Sequence, residues 1–229
     1  MKPPFLGLHF LCRSLHSRTV PEQVFTLQGQ RIRLEPLDLR HVGELAQASA
    51  TNRELYRWSP VPSGKDEATE YIETALAWQE AGTAVPFAIL STDDNTLIGS
   101  TRFWNIERWA WPQGNPLHGR GGPDACEIGY TWLASSAIRT GANTEAKLLM
   151  LRHAFEVWRT LRVCFHTDSR NQRSRTALER IGAKFEGILR AHRMAADFIP
   201  RDSVRYSIIA SEWPGVRHRL IGLLEARRR

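Results

Sequence analysis

The sequence predicts a single mixed α/β domain of the α+β kind, and three observations carry that reading. The chain has 229 residues, the length of one large domain or two small ones. It is 42% apolar and 24% charged, too apolar for a disordered chain, and no stretch approaches the ~18 uncharged apolar residues of a membrane span. Strand-like and helix-like periods follow one another in the order β-α-α-β-β-β-α-β-α-β-β. The strands cluster instead of alternating singly with helices, which excludes a doubly wound parallel sheet.

The elements read as follows. Gln30 to Leu37 alternates Ile32 and Leu34 with Arg31 and Arg33, a strand. Asp38 can cap a helix to about Ala50 with Leu39, Val42, Leu45 and Ala46 on one face. Pro60, Pro62 and Ser63-Gly64 mark a loop, and a second helix runs from Asp66 to about Ala81, where Gly82 ends it. Val85 to Ser91 and Leu97 to Glu107 are strands joined at Asp93-Asp94-Asn95. A Gly/Pro-rich loop over 110–125 is long enough to suggest a functional or mobile segment. Glu127 to Leu133 is the fourth strand. Gly141 opens a strong helix in which Leu148, Leu151, Phe155 and Trp158 form one stripe. Arg162 to Thr167 is the fifth strand, Arg170 to Ile181 a helix closed by Gly182, and Lys184 to Met194 and Ser203 to Ala210 are the last two strands. Trp213-Pro214 is expected to break the chain before a basic helix from about Val216 to Arg229.

The net charge is +7, which invites a nucleic-acid or membrane reading, but its location argues otherwise. Residues 1–21, read as a flexible extension, carry +3, and residues 217–229 carry +4, so 22–216 is neutral. Within that body, 139–193 holds 12 basic and 5 acidic residues, a local +7. Cys12, Cys126 and Cys164 are widely spaced with no C-x-x-C pair, which argues against a disulfide framework or a zinc site and for a reducing cytoplasm. The apolar run Phe5 to Cys12 is interrupted by Gly7 and His9 and lacks a clear cleavage site, so it makes a weak secretory signal.

The basic segment falls on helix starts. A helix start exposes about four unpaired backbone N–H groups and roughly half a positive charge, which suits a phosphate. Thr140, Gly141, Asn143 and Thr144 are small enough to let a pyrophosphate approach, with Arg139 before them and Arg170, Arg173 and Arg175 at the next helix start. A capped core helix with solvated arginines explains the same residues, and the pattern alone leaves both readings open.

The run CEIGYTWL…RTGANTEAKLLMLRHAFE followed by RVCFHTDSRNQRSRTALERIGAKFEGILR resembles the GNAT acyl-CoA-dependent N-acetyltransferases, most of all the RimJ/RimL-like branch. The resemblance spans about residues 28–212 and is strongest over 126–190. It implies a GNAT-like fold of about seven mostly antiparallel strands, splayed between the fourth and fifth, in an acetyltransferase domain over 22–212 with a basic C-terminal helix at 213–229. It also implies acetyl-CoA as cofactor. Backbone around Thr131, Trp132 and Leu133 would bind the pantetheine arm, and Arg139, Thr140, Gly141, Ala142, Asn143 and Thr144 the pyrophosphate. Asn171 would contact pantetheine, with Arg175 near the adenosine-side phosphates. The family motif Gln/Arg-x-x-Gly-x-Gly/Ala is matched at Gly141 but has Ile138 and Asn143 at its ends, and Leu178 stands where many relatives carry a tyrosine general acid.

Acetyl transfer from a thioester needs a neutral amine, a stabilised oxyanion and a proton for the leaving thiolate. An α-amine with pKa about 7.7–8.0 is partly neutral near pH 7, so a mild base suffices. His192, alternating with Arg190 on one side of its strand, is the first candidate base. Glu127, in line with Gly129 and Thr131, is the second, and Ser174 could relay the proton. Trp58, Arg102, Trp104 and Arg190 are candidate acceptor-binding residues, with the 110–125 loop beside them. His166 next to Asp168 reads equally well as a core or capping pair. The acceptor is a primary amine on a protein N-terminus or a small molecule, with no metal, no membrane and no nucleic acid expected; a homodimer is left open. Two other classes compete: a non-catalytic acyl-CoA sensor, suggested by the absent tyrosine, and a ribosome- or RNA-associated module, suggested by the basic tail.

Overall fold

Strand alternation sorts the apolar side chains into two layers. The computed structural model describes residues 25–226, so the 1–21 extension and Arg227–Arg229 lie outside the described residues. The strands are β1 (Leu27–Gln28), β2 (Ile32–Pro36), β3 (Ala84–Ser91), β4 (Leu97–Glu107), β5 (Ala125–Leu133), β6 (Arg162–Asp168), β7 (Lys184–Met194) and β8 (Pro200–Ile209). They form one sheet in the order β1-β2-β3-β4-β5-β6-β8-β7. Every pair is antiparallel except β5 with β6. The strand beyond the expected seven is β1. Its two residues are too few to show a period, and the turn after it is held by Glu145, whose carboxylate accepts from the N–H groups of Gln30, Arg31 and Ile32.

On one face, Leu34, Phe87, Phe103, Ile128, Phe165 and Tyr206 pack beneath α3 (Ala142–Arg152), α4 (Gln172–Ile181) and α5 (Trp213–Glu225). On the other face, Leu37, Ala88, Leu90 and Trp132 pack beneath α1 (Val42–Ser49) and α2 (Gly64–Glu80). No residue of β6, β7 or β8 belongs to this second core. That side of the sheet therefore keeps its polar side chains, among them Cys164, His166 and Arg205.

Two elements differ from the sequence reading. The α3 stripe is real at Leu151, Phe155 and Trp158, but Thr144, Glu145, Ala146 and Lys147 are buried too, because the helix lies between the sheet and α5. Beyond Arg152 the helix widens over His153–Val157, and the Trp158 N–H reaches the His153 carbonyl at 3.0 Å. Pro214 starts α5 instead of breaking the chain, since proline has no N–H to lose in a first turn. Trp213, Val216 and Leu220 then join the core. Among the described residues no helix is long and apolar enough to cross a membrane.

The feature that matters for function is where β5 leaves β6. Only Ala125, Cys126 and Glu127 pair with β6, opposite Arg162, Val163 and Cys164, although β5 continues to Leu133 and β6 to Asp168. The cause is local. Tyr130 has φ 51°, and the β4–β5 register shifts between Ser100 and Arg102. Such a bulge bends the strand and ends its pairing.

Candidate active site

The chain turns into α3 through two residues of positive φ, Arg139 at 65° and Gly141 at 103°. The second suits only glycine without strain. Thr140 Oγ1 donates to the Ala137 carbonyl and accepts from the Ala142 N–H at 3.3 Å, fixing the loop. The first intrahelical bond runs from the Glu145 N–H to the Gly141 carbonyl at 3.0 Å. Helix geometry leaves the earlier N–H groups of Asn143 and Thr144 without intrahelical partners. Arg180 of α4 donates to Thr144 Oγ1 at 3.0 Å, bringing a second cation to this start.

Below it lies the floor of the splay. Lys147 is 4% exposed. Its Nζ donates to Thr131 Oγ1 at 2.7 Å, and Thr131 Oγ1 is 2.7 Å from Thr101 Oγ1. Burial alone draws its amine down from 10.5 to about 7. An ammonium with three donors and one hydroxyl partner, beside a strand edge that β6 has left, fits a ligand rich in carbonyl and amide groups. On the far side, Asn171 caps α4 by accepting from the Ser174 N–H at 3.1 Å. That bond occupies its Oδ1, while its amide N–H groups remain to donate.

The opposite face of β5 holds a charged cluster. Glu127 is 3% exposed. Trp104 Nε1 donates to its Oε2 at 3.0 Å, and Arg193 donates to both oxygens at 3.2 and 2.9 Å. His166 Nδ1 lies 3.0 Å from Oε2, a close contact whose N–H is not aligned well enough to count as a hydrogen bond by geometry. Burial pushes the carboxyl up, but His166 and the Arg193 guanidinium outweigh it and hold it at about 2. The His192 ring lies 5.0 Å from that of His166, tilted by 45°, and its buried Nδ1 has no hydrogen-bond partner among the described residues. Burial first, then the Arg193 charge, lowers it to about 4, so it is neutral near pH 7.

The structure gathers some expected residues and disperses others. Glu127, Trp104 and His192 meet at this cluster, while Thr131, Gly141, Ala142, Asn143 and Thr144 line the other side of the splay. Trp132 turns its ring into the second core beside Tyr56, at 5.8 Å between centroids, leaving only its backbone at the strand edge. Leu133 offers a carbonyl that already accepts from Tyr56 Oη at 3.0 Å. Arg190 is exposed and away from the Glu127 cluster, and Arg193 reaches it instead, because Ala191 has φ 46° and the β7 register slips between Leu189 and Arg193. Arg175 also lies apart. Its guanidinium reaches the Ser169 carbonyl at 3.4 Å and lies beside Tyr206, on the side of α4 turned toward β8. Trp58 sits at the rim, 4.1 Å from the Arg170 guanidinium. The 110–125 loop is anchored by Asp124, which accepts from the Trp109 N–H at 2.7 Å and Trp111 Nε1 at 2.8 Å. Arg120 ties the loop to the Trp158 carbonyl at 3.0 Å. It therefore packs at the end of β5 remote from the α3 start.

Sequence reasoning missed Arg193, Lys147 and the aromatic residues Tyr71, Trp78 and Tyr130, and set His166 aside. A signal existed for Lys147, a lysine inside an otherwise apolar helix run.

Comparison with known proteins agrees with this geometry. Residues 31–184 match the family model described as an acetyltransferase (GNAT) domain. A protein from T. thermophilus assigned as an acetyltransferase is 36% identical, with TM-score 0.70 over 87% of this chain and 96% of that one. A GCN5-related N-acetyltransferase from Brucella melitensis is 26% identical, with TM-score 0.74 over 88% and 86%. Mycobacterium smegmatis RimJ, solved with a CoA-disulfide, shares the fold at 24% identity and TM-score 0.68 over 84% and 88%. Among functionally curated proteins no sequence matches.

Proposed function

Because the chain belongs to the GNAT acetyltransferase family and so to the acetyl-CoA-dependent acetyl transferases, we propose that it acetylates a primary amine, on a protein N-terminus or a small molecule, by direct attack. The observation that supports this most is the parting of β5 from β6, with an anion-binding helix start on one side and a buried charged cluster on the other. Acetyl-CoA supplies the activated acetyl thioester when bound. The N–H groups at the start of α3, with Arg139 and Arg180 nearby, would hold its pyrophosphate. The open edge of β5 from Thr131 to Leu133, Lys147 Nζ and the Asn171 amide would hold the pantetheine arm.

On the acceptor face, His192 is the better base. At about 4 its ring is a weak base, but it is neutral and keeps an unpartnered nitrogen, whereas the carboxylate at about 2 is weaker still and is bound by Arg193. Glu127 instead stays ionised and orients Arg193 and His166. Ser174, three residues after Asn171 in the first turn of α4, is the group proposed to return a proton to the leaving thiolate.

The test is thiol release from acetyl-CoA across a panel of primary amines, with CoA binding followed by calorimetry. Amine-dependent release is the expected result. CoA binding without acetylation of any amine would show a sensor, and no binding at millimolar CoA would remove the cofactor assignment.

A further inference from the structure

Arg102 on β4 is 1% exposed, yet its Nε and Nη2 have no hydrogen-bond partner among the described residues. Its guanidinium lies 4.2 Å from the Tyr130 ring, 4.7 Å from Tyr71 and 5.3 Å from Trp78. Trp104 closes the same group, 4.7 Å from Trp78 and 5.5 Å from Tyr130. Three ring faces attract a cation, but they leave two buried nitrogens without hydrogen bonds, and a buried charge without an anion is among the costlier arrangements in a fold.

Among the described residues no acid pairs with it. Glu127, the acid of the adjoining cluster, gives both its oxygens to Arg193. Across these two groups positive charge therefore exceeds negative, since Arg201 also acts on Glu127 and Arg193. Directly across from Arg102 in the β4–β5 register stands Gly129. A Cβ there would lie 3.3 Å from Glu127 Oε1, so a side chain at this position would crowd the carboxylate. All four aromatic residues are half-buried, so the group extends from the buried guanidinium to the surface.

We propose that Arg102 binds a carboxylate carried by the acceptor, so that the substrate is a primary amine with an acid group a few atoms away. A guanidinium fork matches a carboxylate with two parallel hydrogen bonds, and the aromatic walls give the pair a desolvated setting. Two sources share this chemistry, a free amino acid or ω-amino acid, and a peptide that begins with Asp or Glu. The inference rests on the acetyl-transfer reading, and the experiment separates the two.

The full chain is assayed with acetyl-CoA and matched amines: amino acids and ω-amino acids of two to six carbons beside their carboxamides, and tetrapeptides opening with Asp or Glu beside those opening with Asn or Gln. The same pairs are titrated into CoA-loaded protein while tryptophan fluorescence is read, since Trp78 and Trp104 flank the site. Carboxylates are expected to bind at least tenfold more tightly than their amides and, where turnover occurs, to show a kcat/KM at least tenfold higher. R102Q should bring each pair to parity, and R102K, which keeps the charge and loses the fork, should fall between. Preference in the free acids or in the peptides tells which source the site takes. Equal binding of acids and amides by the wild-type chain overturns the proposal without recourse to a variant. A fluorescence preference for acids with no acetylation of any amine upholds the carboxylate site and overturns the transfer reading instead.

Discussion

Glu127 and Lys147, buried on opposite faces of β5, are treated in opposite ways. Glu127 on the acceptor face is surrounded by donors and held at about 2. Lys147 on the helix face has one hydroxyl partner and is drawn to about 7. A buried charge saturated by the protein is part of the scaffold and sets the orientation of its neighbours. A buried charge with unspent donors is waiting for a ligand or loses its proton. The Glu127 cluster is therefore preorganised, whereas the surroundings of Lys147 are left to be completed on binding.

The largest way to break this contrast is Glu127→Ala. Removing one partner of a buried pair leaves Arg193 uncompensated, so the unfolding free energy should drop by about 3–5 kcal/mol in urea titration. A loss under about 1 kcal/mol, the scale of an exposed pair, would mean that the cluster is already hydrated.

Next is His192→Ala, which should reduce turnover about 100-fold, the scale of a lost proton acceptor. Because His192 titrates near 4, the acid limb of the kcat/KM profile should follow the pKa of the chosen amine. A limb fixed at about 6.5 for amines of different pKa would point to another histidine in its ordinary state.

Lys147→Met should weaken CoA binding about tenfold, the loss of one charged hydrogen bond. It should also change the pH dependence of stability. With its pKa lowered in the folded state, Lys147 binds fewer protons folded than unfolded between pH ~7 and ~10.5, so stability rises with pH across that window. The variant should flatten that rise. Glu127 acts in a separate window: its stabilisation is complete above about 4.5 and is lost as pH falls through about 2. Melting curves from about pH 2 to about pH 10 would resolve both windows, and one continuous slope would contradict the assignment.

The smallest effect is expected at Gly141→Ala. The left-handed φ of 103° should cost about 1–2 kcal/mol and weaken CoA binding by distorting the α3 start. An unchanged melting temperature would show that the loop relaxes without strain.

The same contrast explains what could be read from the sequence. The α3 start depends on backbone N–H groups and on small residues next to one another, so Thr140 and Gly141 were legible from local spacing, while Asn171 came through the resemblance. The order of the strands and the splay were legible as well, through a resemblance that covers contiguous motifs. The acceptor face depends on register between distant strands. Glu127 reaches His166 because Glu127 pairs with Cys164, and Arg193 displaces Arg190 because the chain bulges at Ala191. Alternation read along one strand passes over such a bulge and does not show that Arg193, and not Arg190, reaches Glu127. The side of α4 that Arg175 takes is likewise decided by packing on β8.

The central claim, that the two faces hold separate tasks, is tested most directly by the CoA dissociation constant in wild-type, Lys147→Met and His192→Ala proteins, measured by calorimetry near neutral pH. The account predicts about tenfold weaker binding for Lys147→Met and an unchanged constant for His192→Ala. Equal weakening in both, or none in Lys147→Met, would contradict it.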